Sequence, residues 1–176
     1  MPLAVTHIIL TIIALSIYRD YLAKKKFHRS FVIIGGIAGL FPDLDVPLDW
    51  VLSVLLHRPV HYHRLFTHAL IWPLLLLLIG LSFYAHRRES FTLLRWKTST
   101  RGAATFFFIV AFGWFFHLFL DCSLMGDDRI SFIPIIAPIN HCVSLLHGDV
   151  PIMLDAVILV LWLVHEEVKH RIRDYI

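Results

Sequence analysis

Apolar residues fall into five runs separated by short polar stretches, at 2–18, 31–56, 66–85, 103–120 and 151–165. Each approaches the roughly 17 to 25 residues that carry a helix through a hydrocarbon core of about 30 Å. The pattern predicts an all-α integral membrane helical bundle of about five spans, folded as one domain over residues 1–176. The second run is interrupted, because Pro42 and Pro47 bracket Asp43 and Asp45. Proline removes a backbone donor and pushes its predecessor toward extended geometry, so a break from Pro42 to Pro47 is expected. The first run has neither a basic flank nor a small-residue cleavage site and is read as a retained helix, not a removable signal.

Composition agrees with this reading. Hydrophobic residues make up 58% and charged residues 16%, with a mean hydropathy of +0.73, whereas a soluble domain is about 45 to 50% apolar and about 25% charged. The net charge of +3 does not point to nucleic acid, because the basic residues are orientation signals between the runs. Arg19, Lys24, Lys25, Lys26 and Arg29 follow the first run, Arg87, Arg88, Arg95, Lys97 and Arg101 follow the third, and Lys169, Arg171 and Arg173 follow the last. Only Arg58, Arg64 and Arg129 remain for the other side. The basic side is cytoplasmic by the positive-inside rule, which places the N-terminus outside and the C-terminus inside. Cys122 and Cys142 are favoured as two free thiols. One disulfide is the alternative if their loop faces an oxidising compartment.

With this topology the ionisable residues of distant segments gather near the outer surface. Such groups are costly in lipid, at least about 2.5 to 3.5 kcal/mol each, so their clustering marks a functional site. Asp43 and Asp45, if extended, point to one side and either grip one ion or bridge two. His117 and Asp121 share a helix face at i, i+4. His63 and His68 would be about 140° apart on one helix, so His63 belongs to the preceding loop and His68 to the first turn of the third span. Arg64 between them has the donors of an anion clamp. His7 stands at the outer mouth of the first span, while His57 and His61 are read as interfacial. The tail His165-Glu166-Glu167-Val168-Lys169-His170 is HExxxH, not the HExxH that sets two imidazoles on one helix face, and is read as a solvated tail.

Thr6-His7, Pro42-Asp43-Leu44-Asp45, His63-Arg64-Leu65-Phe66-Thr67-His68 and His117-Leu118-Phe119-Leu120-Asp121 together resemble the membrane-bound metal-dependent hydrolase family that includes the bacterial YdjM-like proteins. The similarity runs from Thr6 to Asp121. That family is in turn distantly similar to zinc-dependent phospholipase C. The resemblance implies metal ligands at His7, His63, His68, His117 and Asp121, with one of Asp43 and Asp45 a ligand or the base that orients water. The late HxxxE helix of the phospholipases is missing here, and His141, His147 and Asp155 are candidates to replace it.

Counting both aspartates, these candidates exceed the four ligands one zinc takes. Two or three zinc ions are therefore expected, with manganese or iron as alternatives. The expected function is a membrane hydrolase, most simply a phosphoesterase, acting on a lipid or lipid-linked phosphate near the outer leaflet. A metal-ion or proton transporter is the rival from another class, since broken helices with midplane carboxylates also bind ions. A scaffold with a structural metal is the third reading.

Overall fold

A computed structural model describes residues 4–24, 27–58, 66–86, 91–93, 96–125, 130–134, 136–138, 142, 145 and 150–169. Six α-helices lie among them. They are α1 (Ala4–Ile17), α2 (Ser30–Ala38), α3 (Asp45–Leu55), α4 (Ile71–Ala85), α5 (Thr100–Leu120) and α6 (Val150–Lys169). A single π turn, Tyr18–Leu22, extends α1, and another, Asp121–Met125, extends α5. Two small antiparallel hairpins join them, β1 (Phe91–Leu93) with β2 (Trp96–Thr98), and β3 (Ser131–Ile133) with β4 (Ile136–Pro138). Helices dominate because each satisfies its own backbone groups where no water does so.

The core lies where α1, α2 and α5 meet, with Ile12, Leu15, Val32 and Ile109 packed together. Glycine makes this approach possible. A Cβ at Gly113 would stand 2.5 Å from the Gly35 carbonyl oxygen, and one at Gly35 would overlap the Leu15 side chain. Small residues that let helix backbones touch are the usual means of packing in lipid, where burial of apolar groups supplies little drive. Leu75 and Leu78 of α4 and Val160 and Leu161 of α6 face outward.

Five spans are not supported among the described residues. Val5–Leu22 and Thr100–Leu124 are long and apolar enough to cross a membrane, and Ser30–Ala38 with Phe41–Leu55, bent by 52°, makes a third if counted as one span. Helix α4 has only 15 residues, about 22 Å at 1.5 Å per residue. Helix α6 carries Asp155, Glu166 and Glu167 within its length.

The break in the second run is real but starts earlier and is not extended. Helix α2 ends at Ala38, a 3-10 turn covers Phe41–Leu44, and α3 begins at Asp45. Pro42 and Pro47 each fall in a first turn, where the missing N–H is no loss. Two further expectations are corrected. Cys122 and Cys142 form a disulfide with Cα atoms 4.7 Å apart, not two free thiols. Glu166 is not solvated but 1% exposed, because α6 packs its face against α1. His170, the other end of HExxxH, lies outside the described residues.

Candidate metal centre

Four chain segments meet at one end of the bundle. His7 comes from the first turns of α1, Asp43 from the 3-10 turn, His68 from the segment before α4, and His117 and Asp121 from the end of α5. His7, His68, His117 and Asp121 are buried, whereas the Asp43 side chain is 17% exposed. Asp121 is the hub. Its Oδ1 lies 3.1 Å from His7 Nε2, and its Oδ2 lies 3.3 Å from both His68 Nε2 and His117 Nε2. Asp43 Oδ1 stands 3.6 Å from His68 Nε2 and 3.7 Å from His117 Nε2. The His7 and His117 rings stack with centroids 4.0 Å apart.

Local backbone explains each placement. His117 and Asp121 project from one face of α5 because they are i, i+4 on a continuous helix. His68 precedes α4 and is not in its first turn as the sequence implied; it is held by a strap. Ser131 of β3 donates its N–H to the His68 carbonyl at 3.1 Å, Leu70 N–H donates to the Ser131 carbonyl at 2.9 Å, and Trp114 Nε1 donates to the Thr67 carbonyl at 3.1 Å. Asp43 and Asp45 are both helical in backbone. At about 100 to 120° per residue they diverge by roughly 200 to 240° instead of sharing a side. Asp43 therefore faces the histidines, while Asp45 accepts a hydrogen bond from Thr67 Oγ1 at 2.7 Å.

The outer partners set the protonation of two imidazoles. His117 Nδ1 lies 2.6 Å from the Gly39 carbonyl, which only accepts, so Nδ1 carries the proton. Thr67 gives its one hydroxyl proton to Asp45 and stands 3.2 Å from His68 Nδ1, so it accepts from that nitrogen. In the neutral rings both Nε2 lone pairs then point at carboxylate oxygens. Among the described residues, His117 Nε2 and Asp121 Oδ2 are buried without a hydrogen-bond partner of good geometry, although they are 3.3 Å apart. Acceptors facing acceptors in a buried pocket are stabilised by a cation between them.

The donor set fits a metal ion. Single donor atoms of His7, His117 and Asp121 lie within 4.8 Å of one another, as do those of Asp43, His68 and His117. Bonds of about 2.1 Å to a tetrahedral zinc would space its ligand atoms about 3.4 Å apart. The separations above bracket that value. Imidazoles whose other nitrogen is tied to a carbonyl or hydroxyl are the usual form of metal-binding histidine.

Of the residues expected from the sequence, the structure thus brings together His7, Asp43, His68, His117 and Asp121. Asp45 is one step removed, behind Thr67. His63, Arg64, His61, His141 and His147 lie outside the described residues, Asp155 is on α6, and His57 is exposed. Sequence reasoning gave no role to Thr67, Trp114 or the Gly39 carbonyl. Thr67 had a signal in its place beside His68, but a backbone carbonyl has none.

No curated protein and no solved structure matches the chain. The sequence profile of one family, however, matches residues 1–173, spanning every segment that contributes to the cluster. The chain belongs to the YdjM inner membrane protein family.

Proposed function

We propose that the protein is a membrane-embedded, metal-dependent hydrolase acting on a phosphoester of a lipid or lipid-linked substrate. The observation that carries this reading is the convergence of three imidazole nitrogens and two carboxylates at 3.1 to 3.7 Å in a buried pocket. Mixed imidazole and carboxylate donors suit zinc. Zinc bound there would supply a Lewis acid for a phosphoryl oxygen and make water more acidic.

The stoichiometry proposed for the described residues is one ion, not two or three. Both donor groups use His117, and with Nδ1 tied to Gly39 that ring has a single nitrogen to offer. His7, His68, His117 and Asp121 would hold the ion. Asp43, the most exposed member at 17%, would take a proton from an attacking water on its carboxylate. Asp45 is a positioning residue that fixes the His68 ring through Thr67. Arg64, four positions before His68, is the proposed clamp for substrate phosphate.

Two observations support an extracytoplasmic site. The disulfide at Cys122 adjoins Asp121, and disulfides persist in oxidising compartments. Arg19, Arg29 and Arg101 sit at the helix ends away from the cluster, as the positive-inside rule asks of the cytoplasmic side. The end of α6, packed beside Asp20, is then cytoplasmic.

The test assays detergent-purified protein, with and without chelator and zinc restoration, on phosphodiester and phosphomonoester lipids. Chelator-sensitive release of a headgroup or phosphate is expected. Bound zinc with no turnover on any member of the panel would count against hydrolysis and favour ion transport.

A further inference from the structure

His68 and Asp121 come from segments more than fifty positions apart, yet one closed loop holds them both. Asp121 follows the end of α5, and its neighbour Cys122 is bonded to Cys142, twenty positions on. Within that loop lies the β3–β4 hairpin, and Ser131 of the hairpin is the residue that straps His68. A disulfide that served only to stabilise the fold could join any two parts of the outer surface. This one starts beside one member of the cluster and closes on the strap of another.

The strap grips backbone. Ser131 N–H donates to the His68 carbonyl, Leu70 N–H donates to the Ser131 carbonyl, and Ser131 thereby runs parallel to Ala69 as a single bridge. His68, Ala69 and Ser131 are all buried, so these hydrogen bonds are shielded from competing water. The position of His68 is thus fixed relative to β3. What fixes β3 relative to Asp121 is the disulfide. From Asp121 to Ser131 the chain alone runs ten residues, enough to reach about 33 Å when extended. Ser131 pairs with Pro138, however, and Cys142 is only four residues past Pro138. The bond to Cys122 therefore ties the second strand of the hairpin beside Asp121 as well, and removes the freedom of an open loop. His68 Nε2 and Asp121 Oδ2, 3.3 Å apart, are the two atoms this arrangement sets against each other.

We infer that the Cys122–Cys142 disulfide is a redox-controlled clamp on the metal centre. Closed, it holds His68 and Asp121 at the separation one ion needs. Opened, it frees the strap, and the ion is held about 10 to 100-fold more weakly, the usual effect of losing a group that orients a ligand. Cys122 and Cys142 are positioning residues. To close the clamp, their two thiols give two electrons and two protons to the disulfide of an oxidoreductase, which departs as a dithiol while one S–S bond forms here. Such partners act outside the cytoplasm, so the centre gains its full affinity only once its end of the bundle has reached that side. The inference rests on the metal reading proposed above.

The test measures zinc affinity of the full-length protein in detergent, by competition with a chromophoric chelator. Both cysteines are partly exposed, so a phosphine reduces them in the folded protein. After the phosphine is removed without air, affinity should be at least about tenfold lower at unchanged helical content, and reoxidation should restore it. The double variant Cys122→Ala with Cys142→Ala has no thiol that could itself bind zinc. It should match the reduced protein and ignore the phosphine. Ser131→Pro removes the N–H that holds His68 but leaves the disulfide in place, and should weaken zinc to a similar extent. Affinity in the double variant equal to that of the oxidised wild type would overturn the clamp and leave the metal centre standing; if that variant does not fold, the reversible reduction of the wild type decides in the same way. A folded, oxidised wild type that binds no zinc would overturn the metal centre and the clamp together.

Discussion

The two ends of α1 solve the same problem in opposite ways. Each buries ionisable groups in an apolar bundle, a costly arrangement that must be compensated locally. At the His7 end the side chains contract until five donors surround a point and two of them are oriented from behind by Gly39 and Thr67. At the Asp20 end the helices stand apart, and polar atoms line a space of molecular size. Contraction on a point is the arrangement proposed to hold a single cation, whereas the other end leaves an open cavity with an apolar wall. What separates the two is therefore spacing and orientation, because both ends draw on imidazoles and carboxylates.

Substitutions at the His7 end should act on metal binding and leave the packing of α6 on α1 at the other end intact. The largest effect is expected from Asp121→Ala, which removes the hub of the cluster: bound zinc should fall by more than about a hundredfold in affinity, beyond the 10 to 100-fold typical of outer partners. Helical content should persist. Asp43→Asn should lower turnover by about 10² to 10⁴-fold, the usual range for a lost general base, while zinc content stays near that of the wild type because four donors remain. Parallel loss of zinc would make Asp43 a ligand first.

Asp45→Asn is the sharper probe of orientation. It touches none of the clustered donor atoms, yet it frees Thr67 to rotate and His68 to change tautomer, so zinc affinity should drop about 10 to 100-fold with helical content unchanged. Smallest in reach is Gly113→Ala. Its new methyl meets the Gly35 carbonyl, and overpacking of this kind costs about 1 to 3 kcal/mol. A lowered unfolding midpoint is expected, with weakened zinc binding because His117 follows one turn later on α5.

Much of the candidate metal centre was legible in the sequence because its signals were local or electrostatic. The i, i+4 spacing of His117 and Asp121 survives any choice of topology, and His7 stood out as an imidazole in an apolar run. Asp43 and Asp45 were misread together because two prolines suggest extended backbone, yet both fit first turns of helix. That single local difference sends one carboxylate to the histidines and the other to Thr67. His68 was misplaced by a few residues because the strap from Ser131 is a contact between segments more than sixty residues apart, which no window of sequence contains. Pairing of Cys122 with Cys142 depends on their Cα atoms approaching to 4.7 Å, a property of the fold. Glu166 looked solvated among charged neighbours, and only the packing of α6 on α1 buries it. Run lengths overstated the spans, since hydrophobicity reports burial in protein and in lipid alike.

The most direct measurement is the zinc content of the purified, folded protein by elemental analysis, with His117→Ala beside it. One equivalent per chain in the wild type, absent from His117→Ala at matched folding, is the predicted result. A well-folded wild type that takes up no metal, even after zinc is supplied and excess removed, would contradict the metal centre and leave the cluster as a histidine-aspartate ion-pair network.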